Sequence, residues 1–253
     1  MEYGICNLAL IPLRAEPAHR SELTSQILFG EAFEIMEYQG DWARVITMLD
    51  GYEGWLSNLQ FATLAQAAFQ QLQISGAPIT SRPVTQAWKK SDNTVLCLPF
   101  GCSLSFLEGT SCHIQNEHFE IIGEIGDTED IATTARSFLN TPYLWGGRTH
   151  FGIDCSGFAQ AVMRMQGITL KRDAHLQAEQ GQVVDFLQEA QLGDLAFFDN
   201  EEGRITHVGI MLNSEQIIHA SGKVKIDKVD NQGIYSAVQK RYTHKLRIVK
   251  RLF

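Results

Sequence analysis

The feature that most constrains this chain is a change of hydrophobic period along its length. Up to about residue 126 the text is mostly strand-like, broken by glycines and turn residues. After that come two segments with helical spacing, and then several that alternate apolar and polar residues. In DTEDIATTARSFLN (127–140) Asp and Thr stand at the start, and Ile131, Ala135, Phe138 and Leu139 fall on one helical face. In SGFAQAVMRMQG (156–167) Phe158, Val162 and Met165 do the same, with Gly167 as the stop. The stretches DLAFFDN, ITHVGIMLN, QIIHASG and HKLRIVKRLF then read as strands. Helices followed by strands predict an α+β domain over 127–253.

The preceding text predicts smaller units. EAFEIMEYQGDWARVIT alternates on both sides of a Gln-Gly-Asp turn, the signature of a hairpin. Short strands at this spacing predict a small β-barrel over 1–61. ATLAQAAFQQLQ (62–73), rich in helix formers and free of Gly and Pro, predicts a helical connector over 62–74. Residues 75–126 turn β-like again, with turns at Gly101 and Gly109, and predict a second small barrel on the same rough plan.

With 253 residues, two or three such units are expected. A formal charge of −8 and the lack of any basic stripe argue against a nucleic-acid binder. No stretch approaches the length of a membrane span, and the N-terminal text lacks the positive start and long apolar core of a secretory signal. Five cysteines, an odd number with no CxxC pair, speak against a zinc site and fit a reducing, cytoplasmic setting. Cys97, Cys102 and Cys112 are expected to pack as small hydrophobes. The absence of a P-loop, a GxGxxG string and zinc-helix histidine spacing indicates no metal, nucleotide or organic cofactor.

The chemistry concentrates in YLWGGRTHFGIDCSGF (143–158). Cys155 falls at the first turn of the second helix, where unpaired N–H groups favour a thiolate and can receive an oxyanion. Gly146, Gly147 and Gly152 let the backbone approach closely. A nucleophile uses all these features, whereas an inert core cysteine uses none. Such a nucleophile needs a base, and the base an orienting group. If Asn213–Ser214–Glu215 forms a three-residue hairpin loop, Leu212 pairs with Gln216 and Met211 with Ile217. His219 then lies opposite Gly209 and diagonal to His207 on the same face, while Val208, Ile210 and Ile218 face the core. Cys155 is expected to attack a carbonyl, with His207 as base and His219 orienting it. The other six histidines, including His150 and His244, show no such pattern and are read as surface or structural.

PYLWGGRTHFGIDCSGF, THVGIML and IIHASG, in this order, resemble the catalytic core of the NlpC/P60 cysteine peptidases over about residues 127–253. PLRAEPAHRSELTSQILFGE and GYEGWLS resemble the bacterial SH3 (SH3b) domain. Together they look like the γ-D-glutamyl-L-diamino acid endopeptidases that act on murein peptides. The resemblance implies a papain-like catalytic fold. It also implies a murein-peptide substrate with a free N-terminal L-Ala and cleavage after the γ-linked D-Glu; separately, a monomer is expected. The amine needs a carboxylate near the nucleophile. Asp154 is the obvious choice, with Ser156 as a further polar contact, although Asp154 equally suits a helix N-cap. The resemblance further implies site roles for Glu22 and Tyr52 from the SH3b domain, for Tyr143, and for Asp173 of an Arg-Asp element. At the last, Ala174 stands where Ser is usual. Two other readings remain: an inert wall-binding protein, and a related amidase or acyltransferase.

Overall fold

The computed structural model describes residues 1–74, 77–123, 125 and 129–253. It divides into two compact units: Met1–Thr128 with Trp145–Thr149, and Glu129–Leu144 with His150–Phe253. The boundary expected between 126 and 127, and the capping residues expected at 127 and 128, lie outside the described residues. Among the described residues no helix is long and apolar enough to cross a membrane.

In the first unit, strands β1 (Glu2–Ile5), β2 (Leu10–Arg14), β3 (Leu23–Leu28), β4 (Ala32–Gln39), β5 (Trp42–Thr47), β6 (Glu53–Ser57) and β7 (Ala62–Leu64) form one sheet. Their order is β3-β2-β6-β5-β4-β1-β7. The β4–β5 hairpin turns where the alternation predicts it. Gln39 pairs with Trp42, and Gly40 takes the left-handed conformation that the two-residue turn needs (φ 57°). Inward-facing Ile11, Leu13, Phe33, Val45 and Leu56 are fully buried at the centre. The predicted connector helix is shorter than its text suggests. Residues Ala62–Leu64 pair with β1, leaving α1 as Gln66–Ile74.

The later part of this unit contains β8 (Val84–Lys89), β9 (Thr94–Pro99), β10 (Leu107–Glu108), β11 (Ser111–Ile114) and β12 (Glu117–Ile122), in the order β10-β11-β12-β8-β9. Its described buried residues share a core with the first sheet. Ile5, Leu28 and Phe29 share a buried cluster with Ala87, Leu98, Leu104, Ile114 and Phe119, and α1 adds Phe69 and Leu72. Phe29 and Phe119 meet edge to face at 5.0 Å. Cys102 and Cys112 lie in this core as expected, but Cys97 is exposed, because along β9 it alternates with buried Leu98 and falls on the opposite face.

Trp145–Thr149 completes the first unit. Arg148 makes a buried bidentate pair with Glu31 (2.8 and 3.0 Å), and its backbone N–H donates to Gln26. Gly146 is left-handed (φ 77°), and a Cβ there would stand 2.4 Å from the carbonyl oxygen of Leu23.

The second unit opens with α2 (Ile131–Ser137), capped by Asp130, whose side chain accepts from the Thr133 N–H. The two-residue strands β13 (Arg148–Thr149, in the first unit) and β14 (Gly152–Ile153) precede α3 (Cys155–Met165). After α4 (Ala174–Gln177) come β15 (Gln182–Val184), β16 (Leu195–Asp199), β17 (Ile205–Asn213), β18 (Gln216–Ser221), β19 (Lys223–Asp230), β20 (Gly233–Ser236) and β21 (Arg241–Arg251). The order is β15-β21-β16-β17-β18-β19-β20, and β21 also pairs with β20, closing the sheet on itself. Helix α3 packs on β17 and β18. Val208, Ile210 and Ile218 are fully buried. The architecture is α+β.

Candidate active site

Asp154 ends the extended segment and caps α3, its Oδ1 accepting the Gly157 N–H at 2.7 Å. Cys155 is therefore the first residue of the helix. Gly152 is required just before it, since a Cβ there would stand 2.8 Å from the Leu144 side chain. The thiol is only 5 % exposed, and the backbone N–H groups of Val208 and Ser156 favour its charged form. Val208 directly follows His207 in β17, so the sulfur rests on the strand that carries the first imidazole.

The thiol pKa is raised overall, contrary to the sequence-based expectation. Burial pushes Cys155 up to about 11, and the Asp154 charge adds to the rise. The two N–H groups and Arg172 oppose this without overcoming it. Burial likewise drives His207 well below its ordinary value, helped by His219, His244 and Lys225. Both shifts favour the uncharged forms, a thiol and a neutral imidazole.

The histidines meet as the strand pattern predicts. His207 Nε2 and His219 Nδ1 are 2.9 Å apart. Met211 pairs with Ile217, but the loop is one residue tighter than expected. Asn213, not Leu212, pairs with Gln216, and a bulge between Met211 and Asn213 absorbs the difference. Gly209 makes room, since a Cβ there would stand 2.9 Å from that of His219 and 2.6 Å from Ile217 Cδ1.

Around this pair lie residues that sequence reasoning missed. His219 Nε2 is 3.1 Å from Asp227 Oδ2, and Lys225 Nζ is also 3.1 Å from that oxygen. The lead was the alternation in KVKIDKVD, which was not read as a strand. His244, expected to be surface or structural, stacks on His207 with ring centroids 4.1 Å apart and planes at 28°. Burial brings it down to about 4. It is reached through closure by β21, a non-local pairing without local signal. Ligating atoms of His207, His219 and His244 lie within 4.8 Å of one another. Two of these nitrogens are already engaged with each other, since His207 Nε2 and His219 Nδ1 are turned together at 2.9 Å.

Arg172, buried to 1 %, reaches Asp154 with both terminal nitrogens (2.6 and 3.1 Å) and donates to Ser156 Oγ at 2.8 Å. Of the Arg-Asp element it is thus the arginine that joins the two residues flanking Cys155. Asp173 precedes α4 and makes no side-chain cap bond there. Gln177 donates to the Ser156 carbonyl at 3.0 Å, tying α4 to the start of α3. Tyr143 is half-buried, its pKa raised by burial and then by the charges of Cys155 and Asp154, while Arg172 acts the other way. Its hydroxyl thus lies in the field of Cys155 and Asp154. Glu22 and Tyr52 belong to the first unit. There Glu22 accepts from the Trp145 indole N–H at 2.6 Å, and the Tyr52 N–H donates to Thr47 Oγ1 at 2.9 Å.

A cysteine on a helix start and a hydrogen-bonded imidazole pair on an antiparallel sheet are the groups from which a cysteine hydrolase site is built. The NlpC/P60 family matches residues 140–247, and the family described as bacterial dipeptidyl-peptidase Sh3 domain matches residues 13–60. The chain carries an NlpC/P60 peptidase domain behind a bacterial SH3 domain. It is similar to the γ-D-glutamyl-L-lysine dipeptidyl-peptidase of Bacillus subtilis (strain 168), 29 % identical over 219 residues, covering 78 % of this chain and 72 % of the relative. It is 28 % identical to dipeptidyl-peptidase 6 of Lysinibacillus sphaericus over 253 residues, 87 % of this chain and 89 % of that one. The crystal structure of an NlpC/P60 family protein from Bacillus cereus shares the fold, with a TM-score of 0.80, 20 % identity and 99 % coverage of both chains.

Proposed function

We propose that the protein is a cysteine endopeptidase cutting the γ-D-glutamyl–L-diamino acid bond of murein peptides that carry a free N-terminal L-Ala, releasing L-Ala-D-Glu. The observation that carries this reading is the buried Cys155 at the start of α3, a helix packed on the two strands that carry a His207–His219 pair 2.9 Å apart. His207 takes the thiol proton as the sulfur attacks the carbonyl, and His219 holds the His207 ring. The imidazolium then protonates the departing amine, and water hydrolyses the acyl-enzyme with His207 again as base. The names of the similar dipeptidyl-peptidases support the bond and the dipeptide product.

Amine selection falls to Asp154, but in modified form. Its carboxylate is shared with Arg172 and the α3 cap, so an ammonium meets an ion pair and not a lone anion. The capping role is present, and amine binding comes in addition to it. In this reading Ser156 and Tyr143 supply polar contacts beside the nucleophile.

The test offers L-Ala-γ-D-Glu-diaminopimelate, the L-Lys counterpart, their N-acetylated forms and intact sacculi, with L-Ala-D-Glu read by mass spectrometry. Release from the free-amine peptides alone is the expected result. Cys155→Ala should abolish it while keeping the thermal midpoint. Asp154→Asn should reduce it chiefly on free-amine peptides. Binding to sacculi with no turnover of any peptide would overturn the proposal.

A further inference from the structure

An imidazole pair can conduct a proton in either direction, and only one direction leaves His207 able to act as a base. The neutral chain His207–His219 has two arrangements. In one, His219 Nδ1 accepts from His207 Nε2–H, which leaves a lone pair on His207 Nδ1. In the other every proton is shifted, and His207 Nδ1 carries a hydrogen. The second arrangement presents a donor where the reaction needs an acceptor. The hydrogen bond between the rings fits both equally.

We propose that Asp227 is a positioning residue that selects the productive arrangement. The inference rests on the endopeptidase reading and extends it by a residue that does not touch substrate. An ionised carboxylate can only accept, so Asp227 Oδ2, 3.1 Å from His219 Nε2, requires the proton on that nitrogen. A neutral His219 then has its lone pair on Nδ1, His207 must donate from Nε2, and His207 Nδ1 is left basic. The His219 N–H bond itself, with a further bond from Lys225, holds the Asp227 carboxyl below the usual carboxylate range, which keeps it an acceptor. Burial holds both imidazoles below their ordinary values, so each carries a single ring proton.

The fold places Asp227 for this task. Lys225 pairs with His219 across β18–β19 and Ile217 pairs with Asp227, so Asp227 stands diagonal to His219 on the same sheet face. His219 is fully buried, so water does not substitute freely as acceptor. His244, stacked on His207, closes another side of the relay.

A hydrogen bond to an ionised group biases such a choice by about 10- to 100-fold. Asp227→Ala should therefore lower kcat by about that factor and leave KM within about twofold. Lys225→Ala removes the carboxylate's other partner and should keep kcat. The decisive readout is nitrogen-15 NMR of labelled histidines, which needs no substrate. The unaltered protein should show His207 protonated on Nε2 only, and Asp227→Ala should show a mixture of arrangements. Asp227→Asn, isosteric and uncharged, gives the same readouts if the alanine variant does not fold. An unchanged kcat, or a lowered kcat with unchanged tautomers, would overturn the proposal. Failure of the unaltered protein to cut any peptide would count against the endopeptidase reading, while the NMR result would still decide the role of Asp227.

Discussion

Replacing Arg172 by Met tests the claim that the start of α3 is held by a buried charge pair. The guanidinium is 1 % exposed, and its polar contacts include two to Asp154 and one to Ser156, at 2.6–3.1 Å. Methionine fills much of the volume but leaves Asp154, itself 5 % exposed, without its counter-charge. Breaking a buried pair on one side costs about 3–5 kcal/mol. For a chain of this size that corresponds to a fall of roughly 6–20 °C in the thermal midpoint. The double variant Asp154→Asn/Arg172→Met should recover much of the loss, because asparagine still accepts the Gly157 N–H as a cap and carries no charge. Urea and thermal unfolding of the two single variants and the double measure the coupling. A loss below about 1 kcal/mol in Arg172→Met, or a double variant no more stable than it, would refute the reasoning.

Other outcomes follow from the same geometry. Because His207 is held well below its ordinary value and Cys155 is pushed up to about 11, the acid limb of kcat should lie below about pH 6.5 and the profile should stay flat through about pH 9. A midpoint near pH 8.5 would contradict the neutral thiol. His150 and His244, both brought down to about 4 by burial, take up protons in the unfolded chain before they do so in the folded one. Stability should therefore fall as pH drops from about 6.5 towards 4, which pH-dependent unfolding can read. Gly209→Ala places a methyl 2.6 Å from Ile217 and 2.9 Å from His219. It should cost about 1–3 kcal/mol and lower kcat more than tenfold by parting the imidazoles, measured by unfolding and steady-state rates.

The parts of the site that were legible in the sequence are those carried by local periodicity. Cys155 at a helix start follows from the apolar spacing of Phe158, Val162 and Met165, and the His207–His219 diagonal follows from strand alternation with Gly209 between. What was missed depends on distant partners. His244 reaches His207 only because β21 pairs with both β16 and β20. Asp227 depends on the register of a third strand. The thiol pKa went the wrong way because the expectation weighed the helix N-terminus and not the burial that α3 acquires against β17. In the fold, Ala62–Leu64 was read as helix from composition, yet these residues find free backbone groups along β1. Tertiary pairing overrides propensity there.

The apolar cluster that joins the two N-terminal sheets has a consequence for modularity. Ile5, Leu28 and Phe29 contribute to it from one sheet, and Ala87, Leu98 and Phe119 from the other. A fragment cut anywhere in α1 would bare half of a greasy seam, and each half should clump instead of standing alone. Transplanting the SH3 text by itself onto another enzyme would therefore carry over an unfinished object. The transferable cassette is the joined pair.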